Sequence, residues 1–287
     1  METILVLTHA DETGSALTRA SLETVTAGLE LAARLSAPLT IGIVATDATS
    51  AAAALAEAGA RLLAVSGEAF AQARYASDAA ACEALCRAAN ATIVLAPGSS
   101  RFTRVAAGVA HRLSGYIDTH ITALGGANTI EASRWFYRQR IEAVISRDLR
   151  PWFLLLDAGT HAAFAGASSA AKIEEVPVQL PALRTTVSGF RAPQQDQQTI
   201  RPDAKMLLVA GAGWTKKQPD GQIHVAEAAK LILGFLHVTG ASLGSSKSLV
   251  DQGGEGLSLI HIFATDGHRP CPDLARHSRQ RAALFWQ

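Results

Sequence analysis

Two segments in the C-terminal half combine glycine, hydroxyl and cationic residues in an order suited to a charged ligand. In Gly211-Ala212-Gly213-Trp214-Thr215-Lys216-Lys217, two glycines follow an apolar run and two lysines follow them. Glycine lets a ligand approach the backbone closely, and lysine can meet a phosphate. Farther on, Gly244-Ser245-Ser246-Lys247-Ser248-Leu249-Val250-Asp251-Gln252-Gly253 places hydroxyls, a cation and Val-Asp-x-Gly after a second apolar run. The candidate ligand-binding residues are Gly211, Gly213, Ser246, Lys247 and Asp251. A turn in which Asp251 caps the next element is the alternative for that residue. A third loop, Pro97-Gly98-Ser99-Ser100, stands between a strand-like and a helical segment. It could turn backbone N–H groups towards a phosphate, with Arg101 and Arg104 adding charge. Turns of this kind occur in most parallel α/β proteins, and neither GxGxxG nor GxxxxGK[ST] is present.

Other chemistries find less support. There is no GxSxG elbow. His9 and His111 lie in or beside apolar periodic segments and read as satisfied histidines rather than ligands. Asp118-Thr119-His120 imitates part of a proton relay but lacks a nucleophile. Cys82 and Cys86, four apart in an Ala-rich helical segment, read as small buried thiols. Cys271 with His268 and His277 makes no metal site. These readings set catalysis on a substrate of its own aside.

The chain has 287 residues, enough for two cores, and a formal charge of +1 that would draw in neither nucleic acid nor an anionic membrane. Hydrophobic residues make up 48%, yet no run approaches the roughly 18 apolar residues of a membrane span. Met1-Glu2-Thr3 leads straight into Ile4-Leu7 with no basic or Arg/Ser-rich leader, so a cytoplasmic protein is expected.

The elements that must position these residues follow from periodicity. Strands are expected at Ile4-Leu7, Leu39-Val44, Arg61-Val65 and Thr92-Ala96. Helices are expected at Ser21-Leu35 (with Leu22, Val25, Leu29 and Ala32 on one face), Ser50-Ala58, Ser77-Ala89 and Arg104-Leu113. Strand-like runs then follow directly at Ile117-Leu124, Thr129-Phe136, Ile141-Ile145 and Pro151-Leu156, with Gly125-Gly126 as a hairpin turn. Parallel βα units with antiparallel additions make one mixed α/β sheet over 1–160. Residues 161–204 read as linker and connecting strands. A second, partial α/β unit spans 205–256, with a strand at Met206-Val209, a helix at His224-Phe235 and a strand near Thr239-Leu243.

Taken together, these residues resemble the alpha subunit of electron-transfer flavoproteins. The resemblance covers Ile4-Leu5-Val6-Leu7, Leu22-Glu23-Thr24-Val25-Thr26-Ala27, Val94-Leu95-Ala96-Pro97 and Asp118-Thr119-His120-Ile121-Thr122-Ala123. It continues through Phe136-Tyr137-Arg138 and Thr160-His161-Ala162-Ala163-Phe164. The Gly-rich turn after Leu207-Leu208-Val209 and the Ser246-Lys247-x-x-Val-Asp251 segment complete it. It implies an adenine-nucleotide-hydrolase-like N-terminal scaffold and a Rossmann-like flavin domain. It also implies a heterodimer with a beta subunit holding one FAD. Electrons would pass from acyl-CoA or other dehydrogenases, as in fatty-acid β-oxidation, to a membrane quinone reductase. The cofactor residues it implies are Gly211, Gly213, Ser246, Lys247 and Asp251. The alternative is an adenine-nucleotide-binding module, without a redox role, built on the Pro97-Arg104 loop.

Two positions depart from the family pattern: Ala212 and Lys247 stand where arginines are usual, and lysine lacks the planar fork. Beyond Gly256 the family's Gln-Val-Gly-Gln-Thr-Gly and Gly-Ile-Ser-Gly-Ala-x-Gln-His segments are missing. Residues 257–287 begin Leu257-Ser258-Leu259-Ile260-His261-Ile262-Phe263 and carry four arginines without a patterned face. They read as a non-native, out-of-frame or chimeric tail. The flavin domain is accordingly expected to be incomplete and FAD binding weak or absent.

Overall fold

The computed structural model describes residues 2–11, 14, 16–126, 129–137, 139–189, 204–211, 213 and 216–245. It divides into two compact units, Met1–Ser188 and Gly189–Gln287.

In the first unit, β1 (Ile4–His9) leads into α1 (Arg19–Leu35), β2 (Leu39–Ala45), the short α2 (Thr49–Ala53) and β3 (Arg61–Ser66). Next come α3 (Tyr75–Ala88), β4 (Ile93–Pro97), α4 (Ser100–Arg112), β5 (Tyr116–Gly125), β6 (Glu131–Phe136), β7 (Ile141–Ile145), β8 (Trp152–Leu156) and β9 (Ile173–Glu175). Among the described residues these form one nine-stranded sheet in the order β7-β6-β5-β8-β4-β1-β2-β3-β9. The strands from β5 through β8, β4, β1, β2 and β3 to β9 pair in parallel, while β6 and β7 pair antiparallel. The sheet is thus mostly parallel with antiparallel additions, as its sequence predicts. Its strand composition gives the physical reason. Val-Leu-Ala and Trp-Phe-Leu-Leu-Leu in β4 and β8 are apolar on both faces, which suits strands buried beneath helices on each side. The β7 pattern is instead largely exposed.

Two core layers sandwich the sheet. On one side Val25, Ala27 and Leu31 of α1 pack with Ile4, Val6, Ile41, Leu95 and Trp152. On the other, Leu85 and Cys82 of α3 and Phe102, Val105 and Val109 of α4 pack with Leu5, Val94 and Phe153. The predicted Leu22, Leu29 and Ala32 of α1 are only half-buried at the margin of the first layer. Gly28 explains the shift: α1 lies so close to β1 that a Cβ there would overlap Val6 Cγ2.

Caps decide the helix bounds. The N-cap of α1 is Thr18, whose side chain accepts from Ser21 N–H. Ser99 caps α4, so that helix begins at Ser100, a turn earlier than its apolar periodicity indicates. Only half of the expected helix over Ser50-Ala58 is α-helical. A 3-10 turn at Ala56–Ala58 finishes it, with Gly59 left-handed (φ 65) just beyond.

The segment after β8 stays with this unit. Gly159 N–H donates to Glu23 at 2.7 Å, and Phe164 N–H donates to Leu22 O at 3.1 Å. The chain then adds β9 along β3, secured by the Arg61–Glu174 ion pair.

In the second unit, β10 (Leu207–Ala210) and β11 (Ser242–Ser245) pair in parallel, joined by α5 (Val225–Thr239). This βαβ arrangement matches the strand, helix and strand expected there from periodicity. The helix runs four residues longer than predicted, to Gly240 in a left-handed C-terminal position, so β11 starts later. Among the described residues its buried cluster is Ala210, Ile232 and Leu243. Leu207, Val209, Leu231, Phe235 and Val238 are exposed.

Candidate functional site

Of the five cofactor residues proposed from sequence, Gly211 and Gly213 lie among the described residues. Ser246, Lys247 and Asp251 lie outside them, as do Ala212 and the tail over 257–287. The Gly211 turn follows β10, so it sits at the carboxyl end of a parallel strand, where ligands bind in open α/β sheets. A Cβ built on Gly211 or Gly213 would meet nothing within 4 Å, and neither has a positive φ. The local backbone therefore does not require glycine, and no atom of the described residues crowds either position. Lys216 N–H closes the turn on Gly213 O at 3.3 Å, and the Lys216 and Lys217 side chains are not buried. Eleven residues separate Gly213 from the start of α5, so no helix N-terminus follows directly behind the turn.

The Pro97–Arg104 loop occupies the crossover point of the first unit. From β1 the chain proceeds to β2 on one side and, after β3, returns to β4 on the other. Several of its donors are committed within the fold. Gly98 N–H donates to Leu156 O at 2.7 Å, and Phe102 N–H donates to Ser99 Oγ at 3.4 Å. Arg101 is buried and forms a two-pronged ion pair with Asp78 while also donating to Phe70 O at 2.8 Å. Arg104 donates to Ala73 O at 3.0 Å. The two arginines expected to greet a phosphate instead tie α4 to α3 and to the chain before it.

His9, at the end of β1, lies beside this loop. Its Nδ1 is 2.8 Å from Ala10 O and its Nε2 is 3.0 Å from Ser99 Oγ. A carbonyl only accepts, so Nδ1 carries the proton, Nε2 is bare, and Ser99 O–H donates to it. Burial pushes the His9 pKa down, and the nearby Arg101 charge adds to this, against the Ala10 carbonyl and Asp78. The expectation of a satisfied histidine holds for His9. His111 is exposed on the last turn of α4.

The apparent relay Asp118-Thr119-His120 comes apart in three dimensions. The β5–β8 register shifts between Asp118 and Ile121, where His120 takes a left-handed conformation (φ 59). His120 points outward and lies 3.2 Å from Asp157 Oδ1. Asp118 points inward and accepts from Arg134, Arg147 and Trp152 Nε1, the last at 2.9 Å. Burial would raise its pKa, but the hydrogen bonds from Arg147 and Trp152 and the two arginine charges outweigh that and hold it below the ordinary value. The cluster fastens the antiparallel strands to β8.

Cys82 and Cys86 are buried free thiols, as expected. Burial is the main cause holding both pKa values above the usual thiol range. No cluster of three or more metal-ligating groups occurs among the described residues, and no helix among them is long and apolar enough to cross a membrane.

A parallel sheet with its crossover between β1 and β4, helices on both faces and an antiparallel extension defines a doubly wound α/β protein. The chain matches the model of the electron transfer flavoprotein domain over residues 6–181, and it belongs to that family. No curated protein matches the chain.

Proposed function

We propose that the chain is the alpha-type subunit of an electron-transfer flavoprotein. Together with a beta subunit it would hold FAD in the cytoplasm and pass electrons from acyl-CoA or other dehydrogenases to a quinone reductase or another respiratory acceptor. The family match supports the electron-transfer role, and the observation that carries the ligand reading is the Gly211 turn. Its glycines are unforced by the backbone and uncrowded by any described residue at a strand's carboxyl end. This fits the approach of a phosphate-bearing cofactor. Gly211 and Gly213 would offer backbone N–H groups, and Ser246, Lys247 and Asp251 would hold the remaining polar edge. When bound, the flavin supplies the redox chemistry, and the protein sets its position and electrostatics.

We further propose that binding is weak. The sequence lacks the family's Gln-Val-Gly-Gln-Thr-Gly and Gly-Ile-Ser-Gly-Ala-x-Gln-His segments. In addition, Ala212 and Lys247 replace the arginines usual in the family, and residues 257–287 read as a non-native tail. Co-expression with a beta subunit, purification of the complex and a flavin absorbance spectrum test both parts. The expected result is a complex with well under one flavin per chain. A stoichiometric yellow complex overturns the weak-binding proposal, and failure to form any complex overturns the subunit assignment.

A further inference from the structure

We propose that Ser99 is an activated nucleophile towards activated carboxylic esters, with His9 as its general base. This goes beyond the electron-carrier reading and does not depend on it.

The geometry contains the parts that acyl transfer to serine needs. Ser99 Oγ is 3.0 Å from the bare Nε2 of His9, and the opposite ring nitrogen is fixed by Ala10 O at 2.8 Å. Ser21 Oγ braces the same residue from α1, 3.3 Å from His9 N, and Phe102 packs edge-on to the ring at 5.1 Å. Ser99 stands on a short turn between β4 and α4, flanked by exposed Gly98 and Ser100. Its hydroxyl is therefore within reach of a small ester although its base is buried. Ser100 and Arg101 are the first residues of α4, and their N–H groups at its positive end can stabilise a developing oxyanion. Capping alone does not explain the imidazole. A half-exposed capping serine can give its proton to water, and the cap uses its lone pair, not its proton.

The reaction balances without any other reagent. Ser99 Oγ attacks the ester carbonyl and forms a C–O bond while its proton passes to His9 Nε2. The tetrahedral intermediate collapses, the alkoxide or phenoxide leaves, and the proton on Nε2 goes to the leaving group or to solvent. Water later hydrolyses the acyl-serine by the reverse proton path and releases the carboxylic acid.

The test treats the full chain with p-nitrophenyl acetate, quenches it in acid and measures acetylation of each serine peptide by mass spectrometry. Ser99 should acetylate at least about 100-fold faster than the exposed Ser50 and Ser114, and His9→Gln should remove about the same factor, the usual worth of a positioned base. Equal rates at the three serines overturn the proposal. Should His9→Gln fail to fold, the wild-type pH profile decides. The charged groups facing His9 are Arg101 of α4 and Asp78 of α3. The Ser99 rate should reach a plateau above an inflection that lies below the ordinary histidine value. A rate that follows hydroxide concentration throughout, with no inflection, overturns it.

Discussion

The guanidinium of Arg101 grips the carboxylate of Asp78, with Nη2 2.6 Å from Oδ1 and Nε 3.0 Å from Oδ2, inside the layer between α3 and α4. Both side chains are nearly sealed from solvent, at 9% and 2% exposure. Removing one partner strands a buried charge, so Asp78→Leu or Arg101→Met alone should lower stability by about 3–5 kcal/mol. The double variant should lose clearly less than the sum of the two. Urea unfolding followed by circular dichroism measures all three, and strict additivity would contradict the coupling.

Asp118 gives a pH dependence with a definite sign. Its folded pKa lies below the ordinary value, so its stabilisation is complete above that value and is lost as pH falls through the folded one. Asp118→Asn should cost about 3 kcal/mol near neutral pH, because Arg134 and Arg147 lose a shared carboxylate. The gap between the two proteins should close in acid. Denaturant midpoints at a series of pH values would show it, and a pH-independent gap would refute the role.

Gly28 sets two known effects against each other. Alanine gains about 0.5–1 kcal/mol in a helix interior. Overpacking against Val6, which is stiff and held in β1, costs about 1–3 kcal/mol. The clash wins, and Gly28→Ala should melt at a lower temperature than the wild type. A higher melting temperature would show that α1 can slide away from the sheet.

Cys82 and Cys86 should resist iodoacetamide in the native protein and react fully once it is unfolded. Peptide mapping before and after denaturant distinguishes them from Cys271. Native labelling of either would place α3 away from its core.

Flavin content offers a fifth check. If Lys247 reaches the cofactor, Lys247→Arg should restore a bidentate contact and raise flavin affinity in the complex with the beta subunit, by about tenfold or 1.4 kcal/mol. Lys247→Ala should lower it. Equilibrium dialysis with FAD reads both, and equal affinity in all three proteins would remove Lys247 from the site.

The sheet was largely legible in the sequence because apolar runs such as Ile93–Ala96 and Trp152–Leu156 leave little choice of structure, and Gly126 (φ 88) closes the predicted hairpin. The segment after Thr160 was harder. Ile173-Glu174-Glu175 has one large apolar residue, and only the free edge of β3 makes it a strand. The loop at Pro97 shows what spacing conceals. Arg101 and Arg104 look available until α3 brings Asp78 and the chain before it brings Ala73. The pairing of His9 with Ser99 was hidden for the same reason: 90 residues separate them, and only the adjacency of β1 and β4 joins them. A histidine closing the first strand and a serine at the start of a helix were the available signals, and neither suffices without the strand order.

The position of β8 has a consequence for how the chain can assemble. Among the central strands it comes late in the sequence, yet it lies between β4 and β5, pairing with both. Until Trp152–Leu156 arrives, β1 to β4 can form one ribbon and β5 to β7 another, with no ladder between them. The strand is therefore a keystone. A nascent chain halted before Trp152 holds two unjoined half-sheets with their inner edges bare. Such edges invite pairing with neighbouring chains. The order of synthesis makes this the stage at which a growing chain is most in need of a chaperone.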